Sequence, residues 1–167
     1  LIISLDPFCP PETENSLRQT LDALIGDGFT TFIVNNIAHI ALLKSKKDVN
    51  LIAGPYLYTF NRWAVSWLEN QKIGAFVMPY EKSRKNLLAT FPPSVRSRIL
   101  VPVFAYPALF RLLFKLPPSY DFTYFTDKEG ASFKVNSTPD GSFVMPETAF
   151  SVTDKCDLLY GDGIKRI

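Results

Sequence analysis

The chain holds one histidine and two cysteines in 167 residues, and the pair Cys9 and His39 suggests a nucleophile with its base. A thiol attacks as the thiolate, which needs a base or a positive partner nearby. Asn36, three residues before His39, could orient the imidazole. Asp6 and Glu81 offer a second chemistry, a carboxylate pair for acid–base work or for a divalent cation. Asn35, Asn36, Tyr56, Asn61 and Tyr106, with Asp6, form a ligand-binding set of amides, phenols and one carboxylate. Plainer readings stand beside each: an incidental thiol next to Pro10 and Pro11, a histidine packed in a short helix, and Glu81 in a helix first turn, where a negative side chain complements the macrodipole. Neither a Gly-x-Ser-x-Gly elbow nor a His-Glu-x-x-His run competes with these candidates.

These residues are selected by the elements that must carry them. Leu1 to Leu5 reads as a buried strand, and Thr13 to Ile25 as a helix with Leu17, Leu21, Leu24 and Ile25 on one face, ended by Gly26 and Gly28. Thr30 to Val34 is a second strand, Asn35-Asn36 its turn, and Ile37 to Lys44 a short helix whose Ile37, Ile40, Ala41 and Leu43 face inward. Asn50 to Ala53 stops at Gly54-Pro55 and leads into a helix with Trp63, Ala64, Trp67 and Leu68 at helical spacing. Ile73 to Met78 and Glu81 to Phe91 repeat the plan, and Arg98 to Ala105 is a fifth strand whose Pro102 argues for an edge or a bulge.

Strand starts recurring in this way suit a parallel sheet with right-handed crossovers. The fold class expected is α/β, a partial TIM-like (β/α) barrel of about five parallel strand–helix units with a C-terminal antiparallel β appendage; a complete barrel needs roughly 250 residues. The division expected is 1–116 for the βα repeats and 117–167 for the appendage. In the appendage, Phe122 to Phe125, Ser132 to Val135 and Phe143 to Met145 read as strands separated by turns at Lys128-Glu129-Gly130 and Pro139-Asp140-Gly141. Leu158 to Tyr160 could return to the main sheet. In a parallel βα array the loops after the strands share one face, and that rule gathers Asp6, Cys9, Asn35, Asn36, His39, Tyr56, Asn61, Tyr80, Glu81 and Tyr106.

Composition bounds the rest. With 47% hydrophobic and 20% charged residues the chain can build a packed core. The longest apolar candidate, Val101 to Leu116, is interrupted by Pro102, Pro107, Arg111 and Lys115, so no membrane partner is expected. A leading strand with no initiator Met suggests a piece of a longer protein, which would then pack against a missing N-terminal part or form a homo-oligomer to cover its open edges. Two cysteines without framework spacing favour the cytoplasm. A net charge of +2 leaves RNA as a weak candidate through Lys82, Arg84 and Lys85, because phosphate contact wants a continuous basic stripe. Trp63 and Trp67, at i and i+4, could stack on an aromatic ligand, but the spacing is that of a stripe packed on a sheet, and core packing is the expectation.

The runs FIVNNIAHIALL (32–43), LIAGPYLYTFNRWAVSWL (51–68), FTDKEGASFKV (125–135) and DGSFVMP (140–146) resemble the collagenase-like peptidase family of unknown catalytic type, over most of the chain. The resemblance implies a TIM-like barrel and a peptidase acting on peptide or a small molecule. It also implies, from other members, an iron–sulfur, oxygen-independent hydroxylation system acting on RNA bases or quinone precursors, with cluster cysteines after the strand matching Arg98 to Ala105. Here that stretch reads Phe104-Ala105-Tyr106-Pro107-Ala108-Leu109-Phe110, and no cysteine follows until Cys156. A four-iron cluster takes four thiolates, so this chain alone implies no cofactor, and a cluster only with ligands outside it. A non-catalytic binding domain, with its pocket built from Asn35, Asn36, Tyr56 and Asn61, is the third reading.

Overall fold

The computed structural model describes residues 1–117, 125–138 and 141–167. Residues 122–124 of the expected strand Phe122 to Phe125, and residues 139–140 of the expected turn Pro139-Asp140-Gly141, lie outside the described residues. Five short parallel strands, β1 (Ile3–Ser4), β2 (Thr31–Val34), β3 (Asn50–Ala53), β4 (Ile73–Val77) and β5 (Ile99–Leu100), form one sheet in sequential order. Between them run α1 (Glu14–Gly26), α2 (Ile37–Leu43), α3 (Arg62–Asn70) and α4 (Arg84–Thr90). Because each strand pairs with the next and such crossovers are right-handed, α1 to α4 fall on one face. The fold is therefore mixed α/β, as the periodicities implied.

Register explains the core. Phe32 is level with Leu51, and Val34 with Ala53, Phe76 and Ile99 across four strands; all six are buried. Neighbours in register point to the same face of a sheet, so these residues make a continuous apolar row. Phe91, at the end of α4, adds its ring 5.8 Å from that of Phe76. Helix α1 lays Leu21 on this core, with Leu17, Leu24 and Ile25 half-buried beside it. It ends where Gly28 takes a positive φ of 92°, which lets Gly28 N–H reach Ile25 O and Phe29 N–H reach Leu24 O. That pair of reverse bonds is a Schellman ending.

Several expected details shift. β1 is shorter than Leu1 to Leu5, and Leu1 and Ile2 are exposed, since only Ile3, Ser4 and Leu5 find partners on β2. In α2 the buried face is His39, Ile40, Leu42 and Leu43, which leaves Ile37 and Ala41 outside. Helix α4 begins at Arg84, capped by Ser83, so Glu81 precedes the helix instead of occupying its first turn. The fifth strand ends at Leu100; Phe104–Ala105 belongs to a different sheet.

Trp63 and Trp67 are the largest departure. They are 87% and 45% exposed, while Val65 and Leu68 of the same helix are buried. At 3.6 residues per turn the tryptophan row lies roughly 150° around α3 from the Val65/Leu68 row. The Asn61 cap and the Arg62 Nε bond to Ala89 O (2.9 Å) hold that rotation.

The described residues divide into two compact units, Leu1–Pro102 with Asp157–Ile167, and Val103–Cys156. The division differs from a boundary at 116 because Val103 and Ala105 already pair with Val152 and Phe150. The second unit holds β6 (Phe104–Ala105) paired antiparallel with β11 (Phe150–Ser151). It also holds an antiparallel sheet of β7 (Phe110–Leu112), β8 (Phe125–Thr126), β9 (Ser132–Thr138) and β10 (Gly141–Pro146), in the order β7-β10-β9-β8. Asp127 shapes the turn before β9 by accepting the Glu129 and Ala131 amides, each at 2.9 Å.

The tail does return to the first unit. After α5 (Cys156–Gly161), Leu159 and Ile164 are buried and Arg166 bridges Leu100 in parallel, beside β5. Arg84 grips the Asp162 carboxylate with two bonds of 2.6 Å, and Arg96 holds the Asp162 carbonyl at 2.9 Å. No helix among the described residues is long and apolar enough to cross a membrane.

Candidate functional site

The carboxyl ends of β1 to β3 carry two cavities. One of about 510 Å³ is lined by Pro7 after β1, by Asn35, Asn36 and Ile37 after β2, and by Tyr56, Leu57 and Tyr58 after β3. The other, about 220 Å³, is lined by Asp6 and Phe8, by Thr13, Ser16, Leu17 and Thr20 around α1, and by His39 of α2. Strand-end placement thus brings Asn35, Asn36 and Tyr56 together in one cavity, and Asp6 and His39 in the other.

Asn35 organises this rim. It is 6% exposed; its Nδ2 donates to Leu5 O at 2.7 Å and to Ser4 Oγ at 3.3 Å. Its backbone N–H donates to His39 Nδ1 at 3.3 Å. Its Oδ1 is buried without a hydrogen-bond partner. The side chain lies so close to the next loop that a Cβ at Gly54 would stand 1.7 Å from Oδ1. Glycine at 54 is therefore a steric requirement of the asparagine beside it. Asn36 next door caps α2, accepting Ala38 N–H at 2.9 Å, and donates to Pro7 O at 3.1 Å. It joins the β1 and β2 loops and does not touch the imidazole.

His39 is 1% exposed. Burial pushes its pKa down, a shift that the nearby Asp6 charge opposes. With Nδ1 accepting from Asn35, the proton of the neutral ring belongs on Nε2. The ring then has no free lone pair with which to take a proton from a thiol. Cys9 shares no hydrogen bond with it, and burial with the Glu14 charge pushes the Cys9 thiol up, away from the thiolate. The Cys9–His39 pair is therefore not assembled, and Asn36 does not orient the ring.

The other candidates are dispersed. Asp6 accepts Phe8 N–H at 2.8 Å and lies with His39, not with Glu81. Glu81 is exposed, and its charge, after burial and Tyr56, raises the Tyr80 phenol; Tyr56, Tyr80 and Glu81 are thus neighbours on the β3 and β4 loops. Asn61 caps α3 by accepting Ala64 N–H at 2.9 Å and does not line the cavity. Tyr106 sits in the second unit, edge-on to Phe104, because its strand left the parallel sheet. Cys9 and Cys156 are both free thiols. Among the described residues no three His, Cys, Asp or Glu are grouped to hold a metal.

Two features were not foreseen. Tyr58 has φ 48° and ψ 61°, a left-handed conformation that is uncommon for a bulky residue and concentrates at functional sites. Its ring stacks 5.9 Å from Phe60. Lys82, read from sequence as part of a basic cluster, points inward. Its ammonium donates to Thr59 O at 2.6 Å and Thr90 Oγ1 at 2.8 Å, between the Phe60 and Phe91 rings at 5.5 and 5.4 Å. It ties the β3 loop to α4. With Arg84 bound to Asp162, the Lys82/Arg84/Lys85 cluster does not form a stripe.

Two titrations check this geometry. His39 is the sole histidine, so its ring signals in NMR are unambiguous, and its midpoint should fall below 6.5. Because the unfolded chain then takes up the proton first, stability declines as the pH falls through the unfolded value of about 6.5. His39→Gln should flatten that decline, and a midpoint at or above 6.5 contradicts the buried neutral ring. Burial pushes Lys82 down to about 8, so from about 8 up to the ordinary lysine value near 10.4 the unfolded chain holds a proton that the folded chain has released. Stability contributed by this group rises with pH across that window. A ¹³Cε titration of Lys82 should show the midpoint near 8, and a value near 10 would mean the ammonium is in solvent.

Comparison with protein-family models, with curated proteins and with solved structures gives no match for this chain.

Proposed function

We propose that this chain is a binding domain whose strand-end cavity takes a short, uncharged stretch of peptide. The observation that carries this is the makeup of the larger cavity: about 510 Å³ lined by two amides, two phenols, a proline, a leucine and an isoleucine, with no charged side chain among the seven. Cavities of this size suit small ligands, and a few convergent polar groups on an apolar wall fix their orientation. Amides and phenols complement peptide N–H and C=O groups without asking for a charge. The left-handed Tyr58 and the buried Asn35 keep the wall in one shape, which lowers the ordering cost of binding.

Sequential parallel order with helices on one face is the arrangement of a barrel arc. It supports a partial TIM-like fold of the collagenase-like peptidase type, as the sequence resemblance implies. Both thiols are free, which suits the cytoplasm. Peptide recognition is the part of the peptidase reading that the rim supports. Hydrolysis by a thiol would need a base, and the one imidazole has its lone pair engaged with Asn35. Asp6 and His39 can still contact a bound ligand through the smaller cavity, one as acceptor and the other as donor.

The test uses blocked tripeptides and tetrapeptides, neutral or carrying Asp or Lys, followed by saturation-transfer NMR and calorimetry. Neutral peptides should bind more tightly than charged ones. Tyr56→Ala should weaken binding at least about tenfold, a loss of ~1.4 kcal/mol, in a chain that still unfolds in one cooperative transition. Absence of binding, or binding indifferent to Tyr56→Ala, would remove the cavity as the site.

A further inference from the structure

The smaller strand-end cavity, about 220 Å³, is bounded by α1, the loop after β1 and His39 of α2. Four of its lining side chains present oxygen: the Asp6 carboxylate and the hydroxyls of Thr13, Ser16 and Thr20. Each hydroxyl has committed its proton to a backbone carbonyl, Thr13 to Pro10 O at 2.8 Å, Ser16 to Thr13 O at 2.9 Å and Thr20 to Ser16 O at 3.0 Å. A hydroxyl has one proton and two lone pairs, so towards the cavity these three can only accept. A carboxylate is likewise an acceptor. His39 supplies the one donor. Its ring is 1% exposed yet lines the cavity, and its Nδ1 is occupied by the Asn35 N–H, which puts the proton of the neutral ring on Nε2. No group among the described residues accepts from that nitrogen. A buried N–H without an acceptor is costly, so the cavity has a standing use for a carbonyl.

One donor set among several acceptors is the complement of a group with one strong acceptor and two N–H donors. We propose that this cavity is a site for a primary carboxamide, whose C=O accepts from His39 Nε2 and whose NH₂ donates to Asp6 and the α1 hydroxyls. Phe8 and Leu17, also in the lining, give the carbon chain behind the amide an apolar wall. The volume is below the roughly 300–1,000 Å³ of an ordinary ligand pocket, which suits one functional group on a short chain. Other small groups match less of the lining. A carboxylate brings no proton to the four acceptors and stands against the Asp6 carboxylate. An ammonium satisfies Asp6 but sets its own N–H groups against the His39 donor. A tertiary amide keeps the carbonyl and loses both donors.

The readout is the His39 ring, so the outcome does not depend on whether the larger cavity takes peptide. With ¹⁵N-labelled protein at a pH well above the His39 midpoint, propionamide should shift the Nε2 signal saturably and leave Nδ1 in place. Its dissociation constant should be on the order of 10 mM, as befits so small a ligand. N,N-dimethylpropionamide and propylammonium should each bind at least about fivefold more weakly, since each leaves one side of the lining unanswered. Acetylglutamine methylamide carries the same group on a peptide backbone and should give the same shifts, while its glutamate counterpart should not. Asp6→Asn, which replaces an acceptor oxygen by an NH₂ donor, should weaken propionamide at least about fivefold. The ligand series on the unaltered chain carries the test if that variant fails to fold. An unmoved Nε2 signal, propylammonium or the dimethyl amide binding as tightly as propionamide, or a neutral ring with its proton on Nδ1 would each overturn the proposal. A glutamine derivative that leaves His39 unmoved while propionamide shifts it would assign the site to free small amides and exclude a peptide side chain.

Discussion

A buried amide, that of Asn35, sets the shape of the strand-end rim. Its side chain ends β2 by donating back to Leu5 O on the neighbouring strand, and its own N–H fixes the His39 ring. A buried polar group left without partners costs roughly 1–3 kcal/mol. Three of the bonds that Asn35 makes or supports are therefore constraints on the rim: they hold the β1 loop, the start of α2 and the imidazole in one relation. The fourth direction is steric. With Oδ1 against Gly54, the β3 loop can approach only because position 54 has no side chain.

Lys82 does for the β3 and β4 loops what Asn35 does for β1 and β2. An ammonium between two aromatic rings gains cation–π attraction, and it donates to Thr59 O and to Thr90 Oγ1, a hydroxyl that itself donates to Phe60 O at 3.1 Å. Thr59 Oγ1 stays without a partner, so this clamp serves the backbone and not the hydroxyl. Between the two ties the loop from Gly54 to Asn61 is pinned at both ends, and the strain at Tyr58 has somewhere to be held. His39 and Lys82, both pushed down by burial, are engaged inside the fold at the two ties.

Much of the scaffold was legible because it rests on local periodicity. Alternating or continuous apolar runs announced β2, β3 and β4, and Leu17/Leu21/Leu24 announced α1. Glycine at 28 marked the helix end by the one property that only a glycine offers cheaply, a positive φ. Pro102 was a true signal read too weakly: it did more than mark an edge or bulge, since the parallel strand stops before it and the chain leaves for another sheet. What the sequence could not state was phase. The i, i+4 spacing of Trp63 and Trp67 says that a face exists, whereas Val65 and Leu68, one turn-fraction away, decide which face is inward. Nor could it state partners that meet only in space. Asn35 depends on Leu5 and Gly54, Lys82 on Thr59 and Thr90, and no spacing rule links those positions. The rule that strand-end loops share a face did recover Asn35, Asn36 and Tyr56 together, and it failed for Tyr106 because its strand was misassigned.

Asn35 and Gly54 form a single steric and polar unit that builds the rim. A double-mutant cycle in urea measures it directly, with Asn35→Ala, Gly54→Ala and the pair. Inserting a Cβ at 54 against an intact Asn35 should cost about 1–3 kcal/mol as overpacking. Removing the Asn35 amide first should relieve part of that cost, giving a coupling of about 1 kcal/mol or more. Effects that add to within about 0.5 kcal/mol, as distant and independent sites do, would contradict the claim.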